Sequence, residues 1–500
     1  MNRSLNFTSI PAKKENRVSK FFKNIGHFFV NLGVGIKNFF VNFIKRFIDG
    51  SVGTKLSHFI FGAGNLYHKQ FVKGFIFLGL QILFWVFMIV SPRVNGEPYG
   101  FQALANLTMQ GTEGSFDPIS GEMIGKSESY LMLLFGIVTI AIIILYIIVW
   151  LLNISSSYKA DQDRNKGLSA STFKKDCSDL LDSKFHILML TPTSLAALIF
   201  TLLPTIYMIS IAFTSWNAVD MAARNTNLFH WVGFDNFVQM FSTSSSTQLG
   251  LEISHRFFPV LGWTFIWAIF ATFTCYFGGI LLAILINKKG IKGKKIFRTI
   301  FILTIAIPQF ISLLACRNLL SEWGPLNAIL KDFGWIQSSI AFLGRGAGAN
   351  ENLAKVMVII INMWLGIPYT MLMTSGILMN IPSDLYEAAT VDGASKAKMF
   401  FKITLPYVIF VTTPYLISSF VGNINSFNTI FLLTEGYPQH LPYVGGGTDL
   451  LVTWLYSLTI TNKQYNTGAV IGILTFIITA TITLVTYRRS KAYKEEDTFQ

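Results

Sequence analysis

Long runs of apolar residues, separated by short polar and basic segments, dominate the pattern of this 500-residue chain. A bilayer core about 30 Å thick needs roughly 20 apolar residues in a helix. Lipid offers no partner for backbone polar groups, and these runs lack the short alternation of barrel strands, so each is predicted to be a helix. The predicted spans one to eight are 72–92, 131–153, 187–213, 260–286, 299–317, 356–379, 404–428 and 465–487.

Composition supports the same class of protein. The chain is 52% hydrophobic and only 13% charged, against roughly 25% charged for ordinary globular chains. We therefore expect an all-α polytopic membrane protein with eight transmembrane helices, and not a series of soluble domains.

The distribution of Lys and Arg predicts the orientation. The loops alternate between two sides, and the segments 1–70, 154–185, 287–298, 380–404 and 488–500 hold 30 of the 40 basic residues, whereas the four opposite loops hold 8. Basic residues accumulate on the cytoplasmic side of a membrane, so both termini are predicted to be cytoplasmic. The same bias explains the net charge of +14 without nucleic-acid binding.

Four regions follow from these patterns. Residues 1–70 form a basic amphipathic segment in which phenylalanines and lysines interleave, typical of a segment that lies in the lipid headgroup layer; alternatively, its Phe stripe packs against other helices of the same protein. Residues 71–185 hold two accessory spans and a cytoplasmic linker. Residues 186–490 form the main transmembrane domain, and 491–500 a cytoplasmic tail.

Metal, redox and nucleotide chemistry are not expected in this chain. Cys177, Cys275 and Cys316 are widely spaced, and no two of the seven histidines are four residues apart, so neither a disulfide framework nor a metal site is predicted. No GxxxxGK[ST] phosphate-binding loop occurs. If transport is driven by ATP, another polypeptide must bind the nucleotide.

One cytoplasmic loop, 380–406, is not simply basic. Asp384 stands three residues before Glu387, a spacing that predicts a capping box at the start of a helix. Ala388 and Ala389 then offer small side chains that allow close approach by a partner surface. We therefore expect a short helix here with a surface suited to docking.

A second helix is predicted after the first helix of the loop ends. Gly393 is free to adopt a positive φ, and Asp392 is able to cap the helix that follows. Pro406 marks the entry into span seven. The loop is thus predicted to be a helix–turn–helix elbow on the cytoplasmic face.

This elbow resembles the EAA signature of binding-protein-dependent ABC permeases. The residues that carry the resemblance, at the spacing of the signature, are Glu387, Ala388, Ala389, Gly393, Ile403, Leu405 and Pro406. The resemblance implies a type I ABC importer permease fold, with the elbow seated as a coupling helix in a cleft of an ATPase subunit. It also implies that partner ATPase subunits bind ATP and Mg, so this chain has no cofactor and is a transport subunit, not an enzyme.

Spans six and seven resemble the larger membrane subunit of maltose/maltodextrin importers, the MalF type. The resemblance rests on residues 362–369, 418–427 and 448–452. It implies a mid-membrane sugar site whose contact residues are Leu365, Gly366, Tyr369, Ser419, Gly422, Asn423 and Ser426. It also implies a second homologous permease, two ATPase subunits and an extracytoplasmic sugar-binding protein as partners, in a bacterial cytoplasmic membrane.

The residue types agree with a sugar site. Ser419, Gly422, Asn423 and Ser426 are spaced to share one helix face. Uncharged hydroxyl and amide groups exchange hydrogen bonds with sugar hydroxyls, and Tyr369 is able to lie against a pyranose ring. The alternative is that these Ser and Asn residues join helices through interhelical hydrogen bonds, worth about 0.6–2 kcal/mol each.

Two departures bear on the cargo. Gly422 replaces an aromatic residue of the family and Ser426 replaces an amide, which implies a roomier site for longer oligosaccharides. Only about 45 residues separate spans three and four, where the family member carries a large exterior domain. Maltodextrin is the expected substrate, and galacto- or raffinose-type sugars are the alternative.

Two other classes of protein fit less well. A secondary transporter needs intramembrane acids or bases, which the uncharged spans do not offer. A membrane-embedded glycosyltransferase or hydrolase needs clustered carboxylates, and Asp449 alone does not form such a cluster.

Overall fold

Helix dominates the computed structural model, which describes residues 17–94, 97–108, 115–116, 123–124, 129–169, 171–217, 230–242, 248–288, 290, 292–346, 348–441 and 445–489. The predicted tail, 491–500, lies outside the described residues. Within these ranges seven helices are long and apolar enough to cross a membrane, and an eighth candidate span is a bent helix pair. The chain is therefore an all-α polytopic membrane protein, as predicted.

The chain divides into two compact units, one made of 1–110 and 127–204, the other of 111–126 and 205–500. The helices of the first unit are Arg17–Asp49, Val52–Ser57, Ala63–Tyr67, Phe71–Val90, Phe101–Asn106, Ser129–Asn165 and Phe173–Leu181. Span three runs through Phe185–Ala197, a π-helical turn at Leu198–Leu202, and Leu203–Ile211. Strands Arg93–Val94 and Glu97–Pro98 pair antiparallel in this unit. Strands Ser115–Phe116 and Met123–Ile124, which belong to the second unit, also pair antiparallel.

The C-terminal end of span two is joined to the N-terminal segment by polar contacts. Its helix continues to Asn165, well past the predicted end at 153. Asp161, which is buried, accepts hydrogen bonds from the backbone N–H of Ser51 at 2.9 Å and from Thr54, and also contacts His68. Part of the segment predicted to lie in the headgroup layer is therefore folded against span two.

The second unit holds the main bundle. Its helices are Asp235–Phe241, Gln248–Asn287, Lys294–Ala306, Gln309–Leu319, Pro325–Asp332, Glu351–Met379, Ser383–Val391, Lys396–Met399, Leu405–Ile424, Phe427–Leu433, Leu451–Tyr456 and Tyr465–Arg489, with π-helical turns at Phe400–Thr404 and Ser457–Thr461. Strands Gln439–Leu441 and Gly445–Gly446 pair antiparallel. The predicted region boundaries at 70/71 and 185/186 stay predictions.

Spans four and six, the helices Gln248–Asn287 and Glu351–Met379, pack closely in this unit. A Cβ added at Gly279 would lie 2.4 Å from the Cβ of Thr370, so only glycine permits this approach. The adjoining core contains Trp263 and Trp267 of span four and Val358 of span six. This contact fixes the two helices that frame the candidate site.

Span five is not the single helix predicted over 299–317. It is the pair Lys294–Ala306 and Gln309–Leu319, bent by 95°. Pro308 has no N–H to donate to Thr304 and disfavours helical backbone at Ile307, which is extended, with ψ 126°. The break exposes backbone at the wall of a cavity described below.

Candidate functional site

The elbow begins with the helix Ser383–Val391, whose C-cap is Asp392, and Gly393 follows that cap. Gly393 has φ +71°, its N–H donates to the Thr390 carbonyl at 3.0 Å, and the Ala394 N–H donates to the Ala389 carbonyl at 2.9 Å. This pair of bonds is a Schellman motif, in which the residue with positive φ is usually glycine. The predicted stop at Gly393 is confirmed.

Both predicted helix caps in the elbow are wrong. Asp384 lies within the first turn, after Pro382 at the N-cap position, so it does not form a capping box with Glu387. Asp392 is the C-cap of the first helix, and Ser395 caps the second, accepting a hydrogen bond from the Lys398 N–H at 3.2 Å. Residues 393–395 lie between the C-cap of the first helix and the start of the second. The residue that caps the second helix is therefore Ser395 and not Asp392.

The second half of the elbow is continuous with span seven. Its helix starts at Lys396 and passes through a π-helical turn, Phe400–Thr404, that contains Ile403 and directly precedes Leu405. Pro406 lacks an N–H and cannot complete an ordinary helical turn, and a π-helical turn accommodates that gap. Pro406 therefore stands in the first turn of the helix Leu405–Ile424, as its predicted place at the entry into span seven requires, and the helical pitch changes there.

The elbow is braced internally and exposed outward. The Tyr386 hydroxyl lies 2.8 Å from the Thr404 hydroxyl, which joins the first helix to the π-helical turn. On the opposite side Glu387 and Ala388 are exposed, and Val391 is 87% exposed. These exposed positions belong to the segment that the sequence predicts to dock on a partner.

A cavity of about 420 Å³ lies between span six and the break in span five. Three of the predicted sugar contacts, Leu365, Gly366 and Tyr369, line it. The other lining residues are Thr304, Ile305, Ala306, Ile307, Pro308, Gln309 and Asn362. None of these ten side chains is charged, and the walls combine hydroxyl, amide and aromatic groups.

The sequence interpretation missed the wall formed by residues 304–309. Pro308, inside a predicted span, was the available signal. Such broken helices commonly form substrate sites in transporters, because an unwound segment offers backbone polar groups to a ligand.

Gly366 has a packing role as well as a place in the cavity wall. A Cβ added there would lie 2.5 Å from the sulfur of Cys275 on span four. Its small size is therefore required by helix packing, whether or not it contacts sugar.

Span seven contributes fewer of the predicted contacts than its spacing indicated. Ser419, Gly422 and Asn423 lie on one helix, but that helix ends at Ile424. Ser426 lies outside it, at the N-cap of Phe427–Leu433, where its hydroxyl donates to Thr429 at 3.2 Å. The prediction that all four residues share one helix face is wrong for Ser426.

Tyrosines link the two predicted halves of the site. The ring of Tyr369 on span six lies 6.0 Å from the ring of Tyr415 on span seven, measured between centroids. Tyr415 is one helical turn before Ser419. The cavity lining does not include Ser419, Gly422, Asn423 or Ser426, so their contact with a ligand stays a prediction.

Asn423 also joins helices, as the structural alternative predicted. Its side-chain N–H donates to the Thr272 hydroxyl at 2.9 Å, and its backbone carbonyl accepts from the Trp267 indole N–H at 3.1 Å. Both partners are on span four. The sequence did not identify the partners in these contacts, since more than 150 positions separate the residues.

On the opposite side of the bundle from the elbow, Asp449 organises a loop. It is 4% exposed and accepts hydrogen bonds from the Gly446 N–H at 2.7 Å and the Thr453 hydroxyl at 2.8 Å. Burial raises the pKa of Asp449 to about 6, although these hydrogen bonds and the charge of Arg256 act in the opposite direction. The Arg256 guanidinium donates to the Gly446 carbonyl at 2.9 Å.

Comparison with known proteins gives a consistent class. Residues 275–491 match the model of the binding-protein-dependent transport system inner membrane component family. The galactooligosaccharides transport system permease protein GanP of Bacillus subtilis is 31% identical over 442 residues, 87% of this chain and 96% of the relative. The maltodextrin transport system permease protein MalC of Streptococcus pneumoniae is 31% identical, with 87% and 95% covered.

Other matches cover a smaller part of this chain. Escherichia coli MalF, a maltose/maltodextrin transport system permease protein, is 33% identical over 265 residues, 52% of this chain and 49% of the relative. A crystal structure of a bacterial ABC transporter for import of the acidic polysaccharide alginate aligns with 63% of this chain and 98% of that chain, at 24% identity and TM-score 0.49.

The apolar helices and the EAA elbow define a multi-pass membrane component of a transport system. The chain belongs to the family of binding-protein-dependent transport system inner membrane components.

Proposed function

We propose that this chain is one of two permease subunits of an ATP-driven importer of oligosaccharides, with maltodextrins as the expected substrates. The uncharged cavity at the break of span five carries the proposal, because its hydroxyl, amide and tyrosine groups match the hydroxyls and apolar faces of a sugar. The relatives named for maltodextrin and galactooligosaccharide transport support the same class of cargo.

The elbow is proposed to receive the movement that ATP hydrolysis produces in the ATPase subunits. Glu387, Ala388 and Val391 present an exposed surface of suitable shape to an ATPase subunit, and the second half of the elbow is continuous with the helix that carries Ser419 and Asn423. Movement of the elbow is thus transmitted along one helix toward the proposed sugar site. ATP and Mg are bound by two partner ATPase subunits, and this chain breaks no bond in the sugar.

The remaining partners follow from the same scheme. A second, homologous permease completes the pathway, and an extracytoplasmic binding protein delivers sugar to the exterior loops, with both termini of this chain in the cytoplasm. Residues 71–185 serve as an accessory unit and 186–490 as the transport domain. In alternating access, the cavity opens outward when the ATPases close on ATP and inward after hydrolysis.

Reconstitution of the complete complex in proteoliposomes tests the proposal. Uptake and ATP hydrolysis are measured with maltotriose, maltohexaose, a galactotriose and, as a non-sugar control, a hydrophilic amino acid. We expect malto-oligosaccharides to stimulate both activities. Stimulation by none of the sugars would contradict the oligosaccharide assignment.

Galactooligosaccharides are a second candidate cargo. The specific observation is that the GanP relative matches this chain at the same 31% identity as the maltodextrin permease. Uptake of galactotriose without uptake of maltotriose would favour this candidate and leave the coupling scheme unchanged.

A further inference from the structure

Span four holds Asn423 at two points. The Trp267 indole donates to the Asn423 backbone carbonyl at 3.1 Å, and the Asn423 side-chain N–H donates to the Thr272 hydroxyl at 2.9 Å. Trp267 is fully buried and Thr272 is 2% exposed, whereas Asn423 is half-buried. Two buried side chains of span four therefore fix both the backbone and the amide of a residue that is itself only half-buried.

The contact with Thr272 determines which atoms of the amide are left for a ligand. An asparagine amide has two N–H donors and one carbonyl oxygen. One N–H is directed to Thr272, so the carbonyl oxygen and the second N–H remain. An adjacent donor and acceptor of this kind match two neighbouring hydroxyls of a sugar, one donating and the other accepting.

The residue next to Asn423 gives the amide no lateral support. A Cβ added at Gly422 would have no atom within 4 Å, and Gly422 is exposed. An asparagine beside such open space would sample several side-chain rotamers without a fixed partner. The hydroxyl of Thr272 supplies that partner.

We propose that Thr272 is a positioning residue that orients the Asn423 amide toward a pair of neighbouring sugar hydroxyls. The inference rests on the proposed function, since it assigns a second helix to the same sugar site. Trp267 assists at the backbone, but it belongs to the core and its replacement would disturb packing. Thr272 is therefore the cleaner residue to change.

The test uses Thr272→Val, which keeps the shape of the side chain and removes the hydroxyl, in the reconstituted complex. Thr272→Ser restores the hydroxyl. Thr274→Val is the matched control, because Thr274 is half-buried on the same helix and its hydroxyl donates to the Phe270 carbonyl of that helix, at 2.6 Å. Sugar molecules transported per ATP hydrolysed are measured at saturating sugar.

Thr272→Val should lower sugar transported per ATP by about threefold to tenfold, the effect of losing one neutral hydrogen bond, with ATP hydrolysis retained. Thr272→Ser and Thr274→Val should match the wild type. A merely structural role would lower uptake and ATP hydrolysis in parallel, and this outcome would overturn the inference.

Asn423→Leu separates the inference from the proposed function. If Asn423→Leu lowers uptake while Thr272→Val does not, Thr272 does not position the amide and the inference fails. If Asn423→Leu itself leaves uptake unchanged, the sugar site on span seven is wrong, and the inference fails with it.

Discussion

The elbow and the cavity between spans five and six are built in opposite ways. Every turn of the elbow is fixed by residues close in sequence: Gly393 ends one helix and Ser395 starts the next. The cavity instead requires a broken helix, span five, to face a continuous one, span six. The elbow thus holds its own shape for a partner, whereas the cavity depends on how separate helices pack.

The two regions also differ in what they leave exposed. The elbow presents Glu387, Ala388 and Val391 outward on a braced support. The proposed sugar residues are partly engaged within the protein, since Gly366 packs against Cys275 and Asn423 bonds to Thr272. Substitutions in the elbow should therefore act on coupling alone, while those in the cavity should act on stability and transport together.

The largest effect is expected from Ala388→Trp. A bulky ring on the exposed face of the elbow would prevent close approach of the ATPase. It should not disturb the elbow, because Ala388 takes part in the hydrogen bonding only through its backbone, whose carbonyl accepts from the Asp392 N–H at 3.0 Å. Uptake by the reconstituted complex should fall to background, and co-purification of the ATPase subunits should be lost. Ala105→Trp, at an exposed alanine on another helix, is the control and should transport normally. Normal uptake by Ala388→Trp would rule out this face as the docking surface.

Asn423→Leu should reduce uptake by about 10- to 100-fold, because a polar contact to sugar is lost and the buried Thr272 hydroxyl loses its partner. The complex should still assemble and hydrolyse ATP, since the elbow is unchanged. Uptake and hydrolysis are measured side by side in the same proteoliposomes. Wild-type uptake would favour a purely structural role for Asn423.

Seven of the eight spans were predictable because length and hydrophobicity are local properties that a bilayer imposes on each helix separately. The break of span five was not. Pro192, Pro259, Pro368 and Pro414 all lie inside helices that continue past them. Whether a proline breaks a helix thus depends on what its surroundings contact, so the signal given by Pro308 does not by itself distinguish a break from these four continuous helices.

In the candidate site too, features with a local sequence signal were predictable and features without one were not. The stop at Gly393 was predictable, because a left-handed residue after a short helix has a sequence signal. The end of span seven before Ser426 was missed, since the apolar run continues through Phe427 and Ile430 without a Gly or Pro at the break. The partnership of Asn423 with Thr272 connects residues far apart in sequence, which no spacing rule identifies.

Gly366→Ala separates packing from sugar contact in the cavity wall. The added Cβ would meet the Cys275 sulfur at 2.5 Å, so thermal unfolding in detergent should show a loss of about 1–3 kcal/mol. The double variant Gly366→Ala/Cys275→Ala removes the sulfur and leaves the closest contact at 3.2 Å, to the Cβ of residue 275, so it should regain most of the lost stability. Recovery of stability without recovery of uptake would assign Gly366 to the sugar as well. Equal stability of the single variant and the wild type would contradict the packing role.

The smallest effect is expected at Asp449, outside both regions. Its pKa is raised to about 6 in the folded protein, against about 3.9 in an unfolded chain. Between these values the folded state binds the extra proton, so stability should increase as the pH falls, by about 1 kcal/mol from pH 7 to pH 5.

Thermal unfolding of Asp449→Asn, which cannot ionise, should lack this increase. Asp332→Asn, at an exposed carboxylate, should keep the wild-type profile. A pH profile of Asp449→Asn identical to that of the wild type would show that another group titrates. Neither Ala388 nor Asn423 lies beside such a buried acid, so the coupling defect of Ala388→Trp and the transport defect of Asn423→Leu should be the same at pH 5 and pH 7.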